Sequence, residues 1–351
     1  MKNGPVTEQL QPFMAPRIRS IVANLDPGLW EKVEEIRLRE NRPLLLNWAG
    51  GEAFLDGKGK VVAPVEESRS YQVSREDVER TLQLISKCSL YAFEEEMRRG
   101  YLTIPGGHRI GLCGKAVMET GKVKLLHNIS SLNFRVARQV EGVALKVLPY
   151  LFSRASPSKG NKFSYKDDRK SIKPGRAKPA IYHTLIISPP QGGKTTLLRD
   201  LCRCLSDGKP ERGMEGFKIG LVDERSEIAG CYEGIPQLNV GIRTDVLDCA
   251  PKAEGMMMLL RAMSPEIIVT DEIGRDEDVD SIEEVVNAGT TVIASAHASS
   301  LEELGRRPSL RRLLDQEFFQ RVIILGWTRG VGTIEKIIDP VQEKVVWKSN
   351  E

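Results

Sequence analysis

The run Leu185-Ile186-Ile187-Ser188-Pro189-Pro190-Gln191-Gly192-Gly193-Lys194-Thr195-Thr196 constrains this chain more than any other stretch. An apolar segment stops at a Pro/Gly-rich turn, and Gly-Lys-Thr-Thr then opens a helix predicted from Thr195 to about Leu205. Strand, loop and helix in that order make a phosphate-binding loop. A polyphosphate needs converging backbone N–H groups, the positive end of a helix dipole, and a cation. The amides of Gly192 to Thr196 supply the first two and Lys194 the third, while the Thr195 hydroxyl is placed for Mg²⁺. Two positions depart from the usual pattern. Ser188 stands where the first glycine of the motif is expected, and Gln191 where many loops of the Gly-Pro-Pro type carry glycine. Glycine is favoured where φ is positive or where backbone must approach a ligand closely. Ser188 suits the extended backbone that precedes Pro189, so Gln191 is the larger departure. The competing reading of the stretch is an ordinary Gly-rich turn that caps a helix.

Roughly 75 residues later, Glu266-Ile267-Ile268-Val269-Thr270-Asp271-Glu272 is an apolar, β-branched strand ending in two acids. In P-loop nucleotidases an aspartate so placed holds Mg²⁺, and an adjacent glutamate polarises the attacking water. Three more strands fit the same sheet. Lys218–Asp223 runs into Glu224, Thr291–Ala296 runs into His297, and Arg321–Gly326 is a further apolar strand. Helical patterns separate them at Ala253–Met263, Ser281–Asn287 and Ser299–Asp315. Alternating strands and helices predict an α/β fold, a mainly parallel sheet covered on both faces. Ligands bind such sheets at the carboxyl ends of the strands, where Lys194, Glu224, Asp271 and His297 all fall.

The runs Val222-Asp223-Glu224-Arg225-Ser226-Glu227-Ile228-Ala229-Gly230, Gly241–Asp248, Pro251–Met258 and Arg261-Ala262-Met263-Ser264-Pro265 closely resemble the stage III sporulation protein AA family. Its members are predicted ATPases of a sporulation channel, similar to the secretion ATPases of type II and type IV systems. With the N-terminal half, the resemblance covers most of the chain. It implies a RecA-like P-loop NTPase on the cytoplasmic, mother-cell side of the membrane around the developing spore. It also implies ATP and Mg²⁺ as ligands, assembly into a homo-oligomeric ring (a hexamer is expected), and integral-membrane channel components as partners. Ser188 and Gln191 depart from a more glycine-rich family loop.

The same resemblance sorts the remaining polar residues. Glu224 matches an acidic stretch that can supply the catalytic carboxylate, so it competes with Glu272 for the base; Glu272 is favoured because it follows the Mg²⁺ aspartate directly. His297 resembles a histidine that senses the γ-phosphate, though a strand-end histidine bonded to a nearby loop explains it equally well. Arg243 and Arg261 are candidates to reach nucleotide in cis or across a subunit boundary; solvated or surface-paired arginine is the commoner case. Met256-Met257-Met258 reads as helix packing.

The N-terminal half, residues 1–152, reads as a smaller α+β domain similar to the one that precedes the motor in secretion ATPases. Leu29–Val33 looks helical, and short strands follow at Glu35–Arg39, Leu44–Trp48 and Ala53–Leu55. Ser74-Arg75-Glu76-Asp77 has the form of a helix start, the helix running to about Cys88. Gly100–Ile104 and His108–Gly114 around Pro105-Gly106-Gly107 form a predicted hairpin, with strand-like runs at 123–125 and 131–137. Arg98, Arg99, Arg109, Arg135 and Arg138 are candidates for nucleotide or subunit contacts, against the plainer alternative of solvated strand faces.

Residues 153–180 read as a basic flexible linker that leads into the ATPase domain, 181–351. Between Ser153 and Pro179 there are nine Lys/Arg against two Asp, a net +7 in a chain of +3 overall. Such a segment buries too little surface to fold alone, and a soluble tether is a plainer reading than a lipid or nucleic-acid contact. Met1–Pro16 is polar and proline-broken, so no secretory leader is expected, and no apolar run is long enough to cross a bilayer. The six cysteines show no paired zinc spacing, so reduced thiols are the default and Mg²⁺ arriving with nucleotide is the expected ion. A Mg²⁺-ATPase motor is therefore the leading reading. The alternative is a nucleotide-binding scaffold with a degenerate P-loop and little turnover. A nucleic-acid enzyme is the third; chloroplast and cyanobacterial relatives of this core can carry a single-strand module built on Arg-x3-His, and that motif is absent here.

Overall fold

Strand β1 (Val33–Arg39) turns Val33, Ile36 and Leu38 inward, and its partners bury residues with a similar alternation. The computed structural model describes residues 6–86, 98, 100–153, 179–208 and 215–349. It divides into one unit of Met1–Arg138 with Gly230–Gln237, and another of Gln139–Ala229 with Leu238–Glu351. In the first unit β1 joins β2 (Leu45–Trp48), β3 (Gly51–Leu55), β4 (Val61–Val62), β5 (Tyr101–Ile104), β6 (His108–Glu119) and β7 (Lys122–Arg135). The sheet order is β4-β3-β2-β1-β7-β6-β5, antiparallel throughout. Helices Pro16–Ala23 and Arg75–Ile85 place Ile18, Ile21, Val78 and Ile85 against Ile36, Leu46, Ile110 and Phe134 in one core. The second helix starts with a capping box, Ser74 Oγ accepting from Asp77 N and Asp77 Oδ2 accepting from Ser74 N, a device that contributes about 1 kcal/mol.

Some sequence expectations shift here. Pro27–Trp30 is the helix, and Val33 already belongs to β1 because it is needed in the core. The runs at 123–125 and 131–137 are parts of one strand, β7, held by pairing with β6 along its length. The described arginines are used locally. Arg109 stacks on Tyr101 at 3.8 Å, Arg135 lies 3.7 Å from Glu35, and Arg138 donates to the Trp30 carbonyl at 2.8 Å. Arg98 donates to the Lys124 carbonyl at 3.4 Å. Arg99 and the expected helix end at Cys88 lie outside the described residues.

The second unit holds β8 (Thr184–Ser188), β9 (Ile219–Asp223), β10 (Thr244–Asp248), β11 (Ile267–Thr270), β12 (Thr291–His297), β13 (Arg321–Gly326), β14 (Thr333–Asp339) and β15 (Lys344–Lys348). They pair in the order β10-β9-β11-β12-β8-β13-β14-β15. The first six are parallel and the last two add antiparallel. β8, β9 and β11 are buried at every residue, as strands covered on both faces must be. Helices Lys252–Met263, Asp276–Asn287 and Pro308–Asp315 cover one face through Met256, Leu259, Ile282, Leu310 and Leu313. Helix Lys194–Asp207 contributes none of its buried residues to that cluster and covers the other face. The predicted helix Ser299–Asp315 is two, Leu301–Leu304 and Pro308–Asp315, because Pro308 can start a helix but not continue one. Of the methionine run, Met256 is buried and Met258 is 51% exposed, so only its first residue is core.

The boundary between the units falls after Arg138, earlier than the predicted 152, because the chain that follows packs on the second unit. Ala144 N donates to the buried Asp200 carboxylate on helix Lys194–Asp207 at 2.7 Å. Ser153 N then bonds the Ala180 carbonyl, Tyr182 N bonds the Leu151 carbonyl, and Phe152 bridges Ile181. Chain before and chain after residues 154–178 are thus paired within one unit. Residues 154–178 of the expected linker lie outside the described residues.

Candidate functional site

β8 ends at Ser188, a left-handed Gln191 and Gly193 turn the chain, and Lys194 opens a buried helix of 14 residues. Gln191 has φ +59°, the conformation that an L side chain disfavours. The mismatch noted in the sequence is therefore real and is carried by that residue. Gly192 is required for a different reason: a Cβ there would lie 2.5 Å from Ser188 Oγ and 2.7 Å from Ser188 Cβ. The serine in the first glycine position thus presses on the loop from inside. Pro189 and Pro190 carry the chain outward, with Gly192 N bonding back to the Pro189 carbonyl at 3.2 Å. Thr195 and Thr196 are half-buried in the first helical turn.

Lys194 is buried, and its ammonium is held by Ser188 Oγ at 3.1 Å, His297 Nδ1 at 2.9 Å, and the Ser188 and Pro189 carbonyls at 3.4 Å. Burial pulls its pKa below the usual value, opposed by the charges of Glu272 and Asp271. Register places His297 of β12 directly opposite Ser188 of β8, so the strand pairing itself aims the imidazole at the loop. His297 Nε2 then lies 2.8 Å from Glu272 Oε1. An ammonium can only donate, so Nδ1 is the acceptor and Nε2–H donates to the carboxylate. That arrangement makes His297 the neutral Nε2–H tautomer, linking Lys194 to Glu272 through one ring. Arg225 completes the chain by pairing with Glu272 Oε2 at 2.9 Å. Glu272 itself has φ +45° and is clamped from β12, with Ser295 Oγ accepting from its N–H at 3.0 Å. Strained backbone held by its neighbours is a feature of functional sites.

Asp271 and Asp223 end adjacent strands and are both buried. Burial pushes the Asp271 carboxyl up to about 7; the charge on Asp223 adds to this and Lys252 opposes it. Asp223 is pushed up to about 6 by burial, although the amides of Ala229, Glu227 and Ile228 all donate to it. Arg199, from the P-loop helix, ties the same turn by donating to the carbonyls of Ile228 and Glu227 at 2.5 and 2.6 Å. Glu224 forms a short ion pair with Lys252 at the start of helix Lys252–Met263.

Lys194, Asp271, Glu272 and His297 therefore meet, with Glu224 paired off to Lys252. Arg243 is not brought to the loop within this chain. Its Nη1 donates to the Ser206 and Asp207 carbonyls, capping the far end of the P-loop helix, roughly 20 Å from Lys194 at 1.5 Å per residue. Arg261 is exposed in the last turn of the helix that begins beside Glu224 and returns toward the start of β9, where Glu266 N bonds the Lys218 carbonyl. The sequence reading missed Arg225, Ser295, Lys252 and Asp223. All but Ser295 lie in the quoted runs, yet pairing is a matter of register and loop path, which spacing does not specify.

The donor set suits magnesium bound with a nucleotide. It offers one hydroxyl, Thr195, and one buried carboxylate, Asp271, whose raised pKa a divalent cation would reverse. Among the described residues no group of three or more His, Cys, Asp or Glu could hold a metal by itself.

A family model described as "Sporulation stage III, protein AA" matches residues 6–160 and 170–345. The chain is 43% identical over 322 residues to the Stage III sporulation protein AA of Bacillus subtilis (strain 168), covering 92% of each. It is 33% identical over 134 residues to the uncharacterized protein ycf45 of Cyanidium caldarium, covering 37% of this chain and 38% of the relative. Among solved structures, the pilus retraction motor PilT with bound ADP is similar at a TM-score of 0.50 and 12% identity, covering 83% of this chain and 74% of that one. That likeness shows the fold.

Proposed function

Since the chain belongs to the sporulation stage III protein AA family, we propose that it hydrolyses ATP with Mg²⁺ and thereby powers or assembles a membrane-spanning channel during sporulation. The observation that carries this reading is the convergence of a P-loop lysine, a buried strand-end aspartate and a Glu–His pair on neighbouring strand ends. Such a set binds a polyphosphate and activates water on it.

In the mechanism the amides of Gly192 to Thr196 hold the phosphates, and Lys194 exchanges Ser188 and His297 for their oxygens. Thr195 and Asp271 would hold Mg²⁺, which neutralises charge on the phosphate oxygens. Glu272 accepts a proton from the attacking water as its oxygen bonds the γ-phosphorus. The bond to the β-phosphate oxygen breaks, leaving ADP and phosphate. Glu272 is taken as the base because it follows Asp271 directly and is held by His297; Arg225 must release it, as Lys252 would have to release Glu224. His297, released from Lys194, orients Glu272 through its Nε2–H. Arg261, exposed and remote within its own chain, is available to a neighbour's site in a ring. The proposal includes a hexameric ring on the mother-cell side of the membrane, with integral-membrane channel components as partners; no helix among the described residues is long and apolar enough to cross a membrane.

The test is Mg²⁺-ATP hydrolysis across protein concentrations, with Lys194→Ala as blank. Turnover per subunit that rises with concentration and vanishes in the variant supports a motor completed by its neighbour. A second reading rests on Gln191 and Ser188: a loop strained at φ +59° that keeps nucleotide as a structural ligand of a scaffold. ATP binding without turnover at any concentration, and a Glu272→Gln variant indistinguishable from wild type, favours the scaffold.

A further inference from the structure

The β13–β14 turn reaches the phosphate loop on the side opposite Asp271. In the sheet β8 lies between β12 and β13, so Asp271 and His297 flank the loop on one side and the hairpin flanks it on the other. The approach is close: a Cβ on Gly193 would lie 2.8 Å from Gly332 Cα. The turn is also well formed. Gly330 and Gly332 have φ of +104° and +80°, Gly330 N bonds the Trp327 carbonyl at 3.0 Å, and Thr328 Oγ1 donates to Glu335 at 2.8 Å.

On this ordered turn Trp327 is 52% exposed and Val331 73%. Val322 and Ile324 of β13 face helices Asp276–Asn287 and Pro308–Asp315. Trp327 follows the end of β13 directly, at the same edge of the sheet as the turn. A half-exposed indole thus stands on the turn that packs against the phosphate-binding loop.

Resting on the nucleotide reading above, we propose that Trp327 is the stacking platform for the nucleobase. With Lys194, and the Mg²⁺ that Thr195 and Asp271 would hold, on the β12 side of the loop, the terminal phosphate lies on that side and the nucleoside toward β13 and its turn. Base–aromatic stacking tolerates any base and is strong enough to dominate nucleoside recognition.

The experiment titrates the full-length protein with Mg²⁺-ADP and, separately, with Mg²⁺-pyrophosphate, following heat and tryptophan emission. Trp327→Ala is expected to lose about ten- to hundredfold in ADP affinity while pyrophosphate affinity stays at the wild-type value. Trp327→Phe keeps the stacking surface and most of the affinity, but loses the ADP-dependent change in emission. Equal ADP affinity in wild type and Trp327→Ala overturns the platform and leaves the P-loop reading intact. Failure of wild type to bind pyrophosphate overturns the P-loop reading, and the platform with it.

Discussion

At the scale of single residues, the site turns on two buried groups whose charge states are costly without a ligand. Asp271, at about 7, holds its proton more tightly folded than unfolded. Ligand-free stability should therefore be full at low pH and fall as pH rises from the ordinary carboxylate range to about 7. Asp271→Asn should raise stability at pH 8 by about 1–3 kcal/mol and leave it unchanged only below the ordinary carboxylate range, as thermal melts in a chelator would show. The sign reverses with ligand: Mg²⁺-nucleotide affinity in wild type should weaken roughly tenfold per pH unit below 7, a slope that Asp271→Asn removes. Asp223 shares the field, so the titration belongs to the pair. Ser188 and Gly192 form a second coupled pair. Gly192→Ala should destabilise by about 1–3 kcal/mol through overpacking, and Ser188→Gly in the same chain should recover part of it; strict additivity in a double-mutant cycle would contradict the contact.

At the scale of elements, the P-loop strand–turn–helix and the Asp-Glu strand are readable from the chain because their physics is local. An apolar run stops, glycines turn the chain, and a helix starts. β14 and β15 escaped because an alternating antiparallel strand at a sheet edge carries a weaker pattern than a fully buried parallel one; β14 buries only part of its residues and β15 almost none. The pairing of the chain on either side of the basic segment is hidden for a related reason. Its composition marks it as unable to fold alone, but composition does not say what its two ends pair with. Because 151–153 pair with 180–182, replacing 154–178 by a short turn should leave the melting temperature within a few degrees and nucleotide affinity unchanged. A large loss of either would show the segment to be part of the site.

At the scale of the whole molecule, the site is assembled from parts far apart in sequence, and the arginines expected to finish it are not among them. Arg243 caps the P-loop helix, so Arg243→Ala should lower stability more than turnover. If Arg261 acts across a boundary, Lys194→Ala and Arg261→Ala are each inactive alone. A mixture of the two should regain turnover at roughly a quarter of the sites by random pairing in a closed ring. No recovery in mixed samples of proven mixed assembly argues for sites complete within one subunit.

The sequence by itself determined the fold class, the phosphate loop, the acidic strand end and the strand-end histidine, because periodicity, turn chemistry and strand-end position are all encoded over a few neighbouring residues. Which partners Glu224 and Glu272 take and how Lys194, His297 and Glu272 join in one chain were decided only in three dimensions. Lys194 reaches His297, and His297 reaches Glu272, through the register of β8, β12 and β11. That register depends on how side chains from the whole unit pack into one core.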